Sequence, residues 1–279
     1  MSKIKHAIKT VGGSFLEFAC PAAVRELDSN IRSGRYLKAK RWILHARTER
    51  AKRRGTAEDL QKSLFQTWQT DVSDGYFEQY LDRFQKWFLG PHHEIVDELA
   101  TLSRSGRYHR LVEVGCGAGR VLEHLSKAMP EVPSFIGVDI NEGIVARNQT
   151  EYAADPRLTF LAADAAIWLK ETAMPGTILM TYGGVMEYFS AETLTALFKS
   201  LAANGPAAVA LVEPVDPGHD LEGDTASHVF GGENSFSHNH AHLLRQAGYR
   251  IRFRKTLDLG LVSWIMILAE TEHPSQAGA

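Results

Sequence analysis

Cysteine is scarce in this 279-residue chain, with Cys20 and Cys116 as its only two. That count excludes a disulfide framework and suits a reducing compartment. Long apolar runs are missing as well: the longest, 207–212 and 264–269, hold six residues each, against the roughly 20 that a transmembrane helix needs. No membrane span is expected. Residues 1–20 carry Lys3, Lys5 and Lys9 but no sustained apolar stretch, which argues against a cleaved secretory signal and for a cytoplasmic setting. The sequence shows no internal repeat and no low-complexity tract. No G-x-x-x-x-G-K-[ST] motif occurs either, which disfavours a P-loop nucleotide site.

What is present is an apolar fraction of 44% with 23% charged residues, ordinary for a protein with a packed core. The length allows one large α/β domain and a helical appendage. The net charge of −2 hides an asymmetry, because residues 31–62 contain eleven Lys or Arg against three Asp or Glu. Such a block meets phosphate, anionic lipid or an acidic substrate, or is simply a solvated helix surface. Between Gly34 and Gly55, the residues Tyr36, Leu37, Trp42, Ile43, Leu44 and Ala46 recur at loosely helical spacing and predict an amphipathic basic helix. Thr56 followed by Asp59 has the form of a capping box, which starts a new helix at Ala57. Eight of the aromatic residues crowd into 65–88. Tyr76, Tyr80, Phe84 and Trp87 fall on one helical face, predicting a helix docked on the main core, or one that also roofs a ligand pocket.

From Leu111 onward, short β-rich runs alternate with helical stretches, the pattern of βαβ units in a mostly parallel sheet. Seven strands are predicted: 111–114, 134–139, 158–162, 177–181, 207–212, 249–256 and 261–269. Helices fit at 118–128, 143–153, 165–172 and from Ser190. The last two strands are joined by only a few residues, which forces an antiparallel pair. The expected division is a helical region over 1–104, an α/β domain over 105–272 and a frayed tail over 273–279.

The segment from Leu111 to Leu125 is an apolar strand running into a glycine-rich turn and then a helix. Glycines let backbone approach a ligand, and the helix N-terminus presents N–H groups suited to a carboxylate or phosphate. A dinucleotide fingerprint needs glycine at the sixth position from Gly115, where Arg120 stands instead, so nicotinamide cofactors are disfavoured. Glu113 within the strand repels a pyrophosphate but suits the ammonium of an amino acid, directly or through water. The run Glu113-Val-Gly115-Cys116-Gly117-Ala-Gly119 resembles motif I of the class I S-adenosylmethionine (SAM)-dependent methyltransferases. Asp139, with Ile140, ends the second strand, and Asp164, with Ala165, follows the third, in that family's order.

This resemblance covers about residues 105–270 and implies a Rossmann-like seven-stranded sheet ordered 3214576 with an antiparallel last strand. It also implies SAM as cofactor. Glu113, Gly115, Cys116, Gly117, Gly119, Asp139, Ile140, Asp164 and Ala165 would line its site, Asp139 accepting from the ribose hydroxyls and Asp164 from the adenine amino group. A helix N-cap is the structural alternative for either carboxylate.

Methyl transfer needs an oriented acceptor and, where the acceptor carries a proton, a base. The fourth strand leads into Tyr182 and Glu187, a wall or hydroxyl donor and a base or amine-binding group respectively; a packed aromatic and a helix-start charge are their plainer roles. No Asn/Asp-Pro-Pro-Tyr motif follows that strand, which removes weight from adenine and glutamine nitrogens. The stretch from Glu213 to Glu233 reads as a mobile substrate loop. Ser237 to His242 reads as a helix start, with His238 as a candidate base and His238 and His242 on one face; no third metal ligand is identifiable there, and no metal is assigned. The expected acceptor is a small molecule, with an acidic or phosphate-bearing one matching the basic block, and oxygen ahead of nitrogen. The contrasting reading is a catalytically silent SAM-like domain that binds RNA or a protein through residues 31–62.

Overall fold

The computed structural model describes residues 3–29, 36–54, 56–70, 83–172, 174–231, 234–258 and 262–271. Tyr76, Phe77 and Tyr80, with Gly34, Gly55, Leu261 and the tail, lie outside them. Contacts divide the chain into two units, residues 1–73 with 229–236, and residues 74–228 with 237–279.

In the larger unit a π-helical turn, Phe84–Phe88, and helix Glu94–Ser103 precede the sheet. β1 (Arg110–Val114), β2 (Ser134–Asp139), β3 (Leu158–Ala162), β4 (Thr177–Tyr182) and β5 (Ala207–Val215) run parallel. β8 (Tyr249–Asp258) and β9 (Ser263–Thr271) complete the sheet in the order β3-β2-β1-β4-β5-β9-β8, with β9 antiparallel to both neighbours. This order, with its single reversal, is the one that the family resemblance implies. β4 and β5 are buried at every position, because crossover helices cover a parallel sheet on both faces and its central strands become continuous apolar runs. One core runs from Phe88, Ile95 and Leu99 through Leu111, Leu122, Phe135 and Ile178 to Leu268.

The crossover helices are Arg120–Ala128, Glu142–Glu151, Ala165–Thr172 and Ala191–Ala203. Ser190 caps the last by accepting from Thr193 N–H, as its position before an apolar-periodic run predicts. The predicted start of the first at Ala118 moves to Arg120, because Gly119 adopts φ 73° and cannot be a helical residue.

Three other expectations are corrected. The fifth strand does not stop at Val212 but continues through Glu213 and Pro214 to Val215. Beyond Val212 its β4 neighbour has ended and only β9 pairs with it, so a proline is tolerated. The stretch read as a loop is not without strands: it contains β6 (His228–Phe230), which pairs with β7 (Ser235–Ser237). The following helix starts at His240, not Ser237, with Asn239 as N-cap accepting from His242 N–H. His238 therefore precedes the helix and shares no helical face with His242.

The smaller unit contains α1 (Lys3–Ala19), α2 (Pro21–Ser29), α3 (Leu37–Arg54) and α4 (Ala57–Thr70). The capping box forms as read: Thr56 N–H donates to Asp59 Oδ2 at 2.9 Å and Asp59 N–H to Thr56 Oγ1 at 3.2 Å. The basic helix α3 spends much of its charge internally. Lys40 is fully buried against Glu26, and Arg47 and Arg50 both hold Glu17. Asn234, with φ 62°, bonds Lys52 and Glu49. This pairing weakens the reading of residues 31–62 as a nucleic-acid surface, since phosphate binding needs unneutralised cations. Among the described residues, no helix is long and apolar enough to cross a membrane.

Candidate active site

The carboxyl ends of β1, β2, β3, β4 and β5 share one edge of the sheet, and the candidate residues emerge there. After β1 the chain turns through Gly115, Gly117 and Gly119 at φ 69°, 47° and 73°, the left-handed region that side chains disfavour. Packing adds a second requirement. A Cβ on Gly115 would lie 2.6 Å from Val185, and one on Gly119 2.7 Å from the Tyr152 ring. The turn is pinned from outside by its carbonyls: Asn148 Nδ2 donates to Gly117 O at 2.7 Å and Tyr152 OH to Ala118 O at 2.8 Å. These two residues, four apart at the end of one crossover helix, escaped sequence reasoning; their signal is a polar pair on the face turned to the glycine turn.

Asp139 completes the turn. Its Oδ2 accepts from Gly117 N–H and its Oδ1 from Asn141 N–H, both at 2.9 Å, and the residue is half-buried. Ile140 beside it is half-buried too. Asp164 Oδ1 accepts from Ala166 N–H at 2.9 Å and Ile167 N–H at 3.3 Å, the N-cap arrangement, and Ala165 behind it is buried. Capping one oxygen of a half-buried carboxylate is compatible with a ligand contact at the other.

Two members of the motif lie deeper than expected. Glu113 is fully buried with both oxygens lacking a hydrogen bond, and burial, with the Asp139 charge nearby, pushes its carboxyl well above the usual range. Direct contact between this side chain and a ligand ammonium does not fit that position. Cys116 is 1% exposed, its thiol pushed up by burial and by Asp139 and Glu113; only its main chain belongs to the turn's surface.

On the acceptor side, Tyr182 is buried with its ring edge-on to Phe88 at 4.8 Å and its hydroxyl 3.4 Å from His92 Nδ1, and burial raises its phenol. Glu187 lies in a 3₁₀ turn, Met186–Tyr188, with Oε1 against Gly184 and 9% exposure. His238 is corrected as a base. It is fully buried, its Nδ1 is 2.6 Å from Ser227 Oγ and its Nε2 is 3.0 Å from Phe189 O. Burial holds its pKa at about 4. A ring with both nitrogens engaged positions the turn at Phe189 and has no lone pair to offer an acceptor.

Glu213 is the organiser that was missed. Its Oε1 accepts from Thr181 Oγ1 at 2.6 Å and its Oε2 from Val185 and Met186 N–H at 2.9 and 3.0 Å, so it latches the exit of β4 to β5. Burial outweighs these donors and raises its carboxyl to about 7.

A family model described as a methyltransferase domain matches residues 111–204, the span from β1 through the glycine turn, Asp139 and Asp164 to the helix before β5. The matched span contains the Glu113–Gly119 run that resembles motif I of the class I SAM-dependent methyltransferases. A curated tRNA (guanine-N(7)-)-methyltransferase of Brevibacillus brevis is 40% identical over 57 residues, 20% of this chain and 26% of that protein. The chain thus spans about a quarter of the length of the curated relative it matches. A SAM-dependent methyltransferase of Leishmania major has a TM-score of 0.52 at 14% identity, covering 80% of this chain and 90% of that one, a likeness of fold. Magnesium protoporphyrin IX methyltransferase from Synechocystis PCC 6803, solved with bound SAM, has a TM-score of 0.46 at 14% identity over 81% of this chain and 95% of that one. In the larger unit, the glycine turn, Asp139 and Asp164 are brought to one sheet edge; Glu113, Cys116 and His238 are held beneath the surface.

Proposed function

We propose that this chain binds SAM and transfers its methyl group to an oxygen of a small acidic or phosphate-bearing molecule, with residues 105–272 serving the cofactor and residues 1–104 assigned to acceptor recognition. The observation that carries the cofactor reading is the 2.9 Å bond between Gly117 N–H and Asp139 Oδ2. It joins the turn suited to the amino-acid end of the cofactor to the carboxylate suited to its sugar. The donor and acceptor chemistry fits: main-chain N–H groups at a helix N-terminus meet a carboxylate, and carboxylates, which only accept, meet hydroxyl and amino donors.

When bound, SAM supplies an electrophilic methyl group on a sulfonium. The chain's part is to hold the acceptor in line and exclude water, with Phe88, Tyr182 and His92 forming an apolar wall beside the β4 exit. His238 and Tyr182 are buried and Glu187 is 9% exposed, so no candidate base stands open to solvent. That favours an acceptor whose oxygen is already anionic at neutral pH over an alcohol that needs a base.

The test is calorimetry with SAM. Asp139→Ala is expected to weaken binding about 10- to 100-fold, the worth of a charge-assisted hydrogen bond or two, while the variant stays folded. Unchanged affinity in a folded variant would remove the assignment. Turnover of radiolabelled SAM on carboxylate and phosphate acceptors, set against simple alcohols, tests the acceptor class.

A further inference from the structure

After β5 the chain passes through Asp216, His219, Asp224 and His228, a group that the methyl-transfer reading leaves unused. One ligand-type atom from each of His219, Asp224 and His228 lies within 4.8 Å of the others. The rings of His219 and His228 have centroids 4.6 Å apart.

The hydrogen bonds around them define which atoms are committed elsewhere. His219 Nδ1 is 2.8 Å from Ser237 Oγ, which also accepts from Asp216 N–H at 3.0 Å. His228 Nε2 is 3.2 Å from Asp216 Oδ2. Asp224 Oδ1 accepts from Ala226 N–H at 2.8 Å. Each residue therefore keeps one donor atom in hand: His219 Nε2, His228 Nδ1 and Asp224 Oδ2. The first of these is the decisive one. His219 is 7% exposed and its buried Nε2 makes no hydrogen bond of good geometry, the Asp224 main chain approaching it without one, a costly state for an imidazole nitrogen.

We propose that His219 Nε2, His228 Nδ1 and an Asp224 carboxylate oxygen bind a divalent first-row transition metal ion, for which Zn²⁺ is the probe. Two imidazoles and one carboxylate are the donor set such ions take, and three protein ligands leave a fourth position for water or a ligand. Asp216 and Ser237 are the outer partners, orienting each ring through its other nitrogen. Metal–ligand distances near 2.1 Å place ligand atoms roughly 3.4 Å apart, so the cluster closes slightly on binding. Asp224 is exposed and His228 half-buried; these two move, and buried His219 is the anchor. The ion ties the segment after β5 to the start of β6, beyond the carboxyl end of β5. It shares no residue with the cofactor site, so either assignment can fail alone.

The experiment uses the full chain, freed of metal by chelator and titrated with Zn²⁺ by calorimetry, with Co²⁺ absorption as a spectroscopic check. One equivalent is expected with Kd of about 1 μM or tighter. His219→Gln and Asp224→Asn are each expected to weaken binding at least tenfold and to reduce the Co²⁺ d–d bands. Asp216→Asn is expected to cost about 10-fold through the orientation of His228. His242→Gln, outside the cluster, retains wild-type affinity. Asp224 is exposed, so its variant folds and decides the matter even if the His219 variant does not. No saturable binding by wild type, or wild-type affinity in Asp224→Asn, overturns the proposal.

Discussion

Glu213 shows how a single buried carboxyl can order a loop. Three donors converge on it, from Thr181, Val185 and Met186, and the two main-chain N–H groups have no other route to satisfaction once the β4 exit is buried. Glu213→Ala is expected to cost about 3–5 kcal/mol in urea denaturation, because it strands three buried donors. Glu213→Gln is expected to cost less than about 1 kcal/mol, since its amide oxygen still accepts from Val185 and Met186 while its NH₂ donates to the Thr181 hydroxyl. Equal losses in the two variants would show that volume, not acceptor chemistry, sets the role. A charge flanked by Val212 and Pro214 reads as the end of a strand, and only the depth of burial reveals it as part of one. Asp139 was legible because its place after the second strand is dictated by the βαβ pattern.

At the scale of elements, close approach governs the helical unit. A Cβ on Gly13 would lie 1.9 Å from the Trp42 carbonyl oxygen, and one on Gly12 2.6 Å from the Trp42 ring, so α1 crosses α3 with backbones nearly touching. Gly13→Val is expected to force the helices apart and cost about 2–4 kcal/mol, seen as faster proteolysis within α1 and a lower first unfolding midpoint. Unaltered proteolysis would mean that α1 repacks without loss. The helix boundaries themselves were largely readable, because Thr56 with Asp59, and Ser190, state their capping chemistry locally. The β6–β7 pair was not, since three-residue strands carry no periodicity and their pairing is set by contacts remote in sequence.

For the molecule as a whole, buried titratable groups shape the dependence of stability on pH. Glu113 and Glu213 hold protons in the folded state that the unfolded chain releases above 4.5, so each lowers stability as pH rises from there, Glu213 until about 7. His92 and His238, held at about 4 by burial, and His240, pushed well below its usual value, do the reverse. They lose stability as pH falls from 6.5 towards 4. Below 6.5 these imidazoles, joined by His124 and His219 whose pKa burial also lowers, outnumber the two carboxyls, so stability rises with pH there. Above 6.5 the imidazoles are neutral in both states and only the carboxyls act. Urea midpoints are expected to peak near pH 6.5 and to fall on either side; a monotonic rise from pH 5 to 8 would show that the carboxyls are ionised in the folded state.

The family resemblance carried by the glycine turn implied the strand order and the roles of the carboxylates after β2 and β3, while the chain's own pattern placed the strands, the glycine turn and the antiparallel final pair. These are properties of short segments: periodicity, turn chemistry and connection length act within tens of residues and survive being read in one dimension. Tertiary structure decided which polar groups reach the surface. Glu113, Cys116 and His238 look like site chemistry in the chain and are buried in the fold, whereas Glu213 and Asn148 gain their roles from partners about thirty residues distant. Desolvation depends on everything packed around a group, and that sum does not exist until the chain has folded.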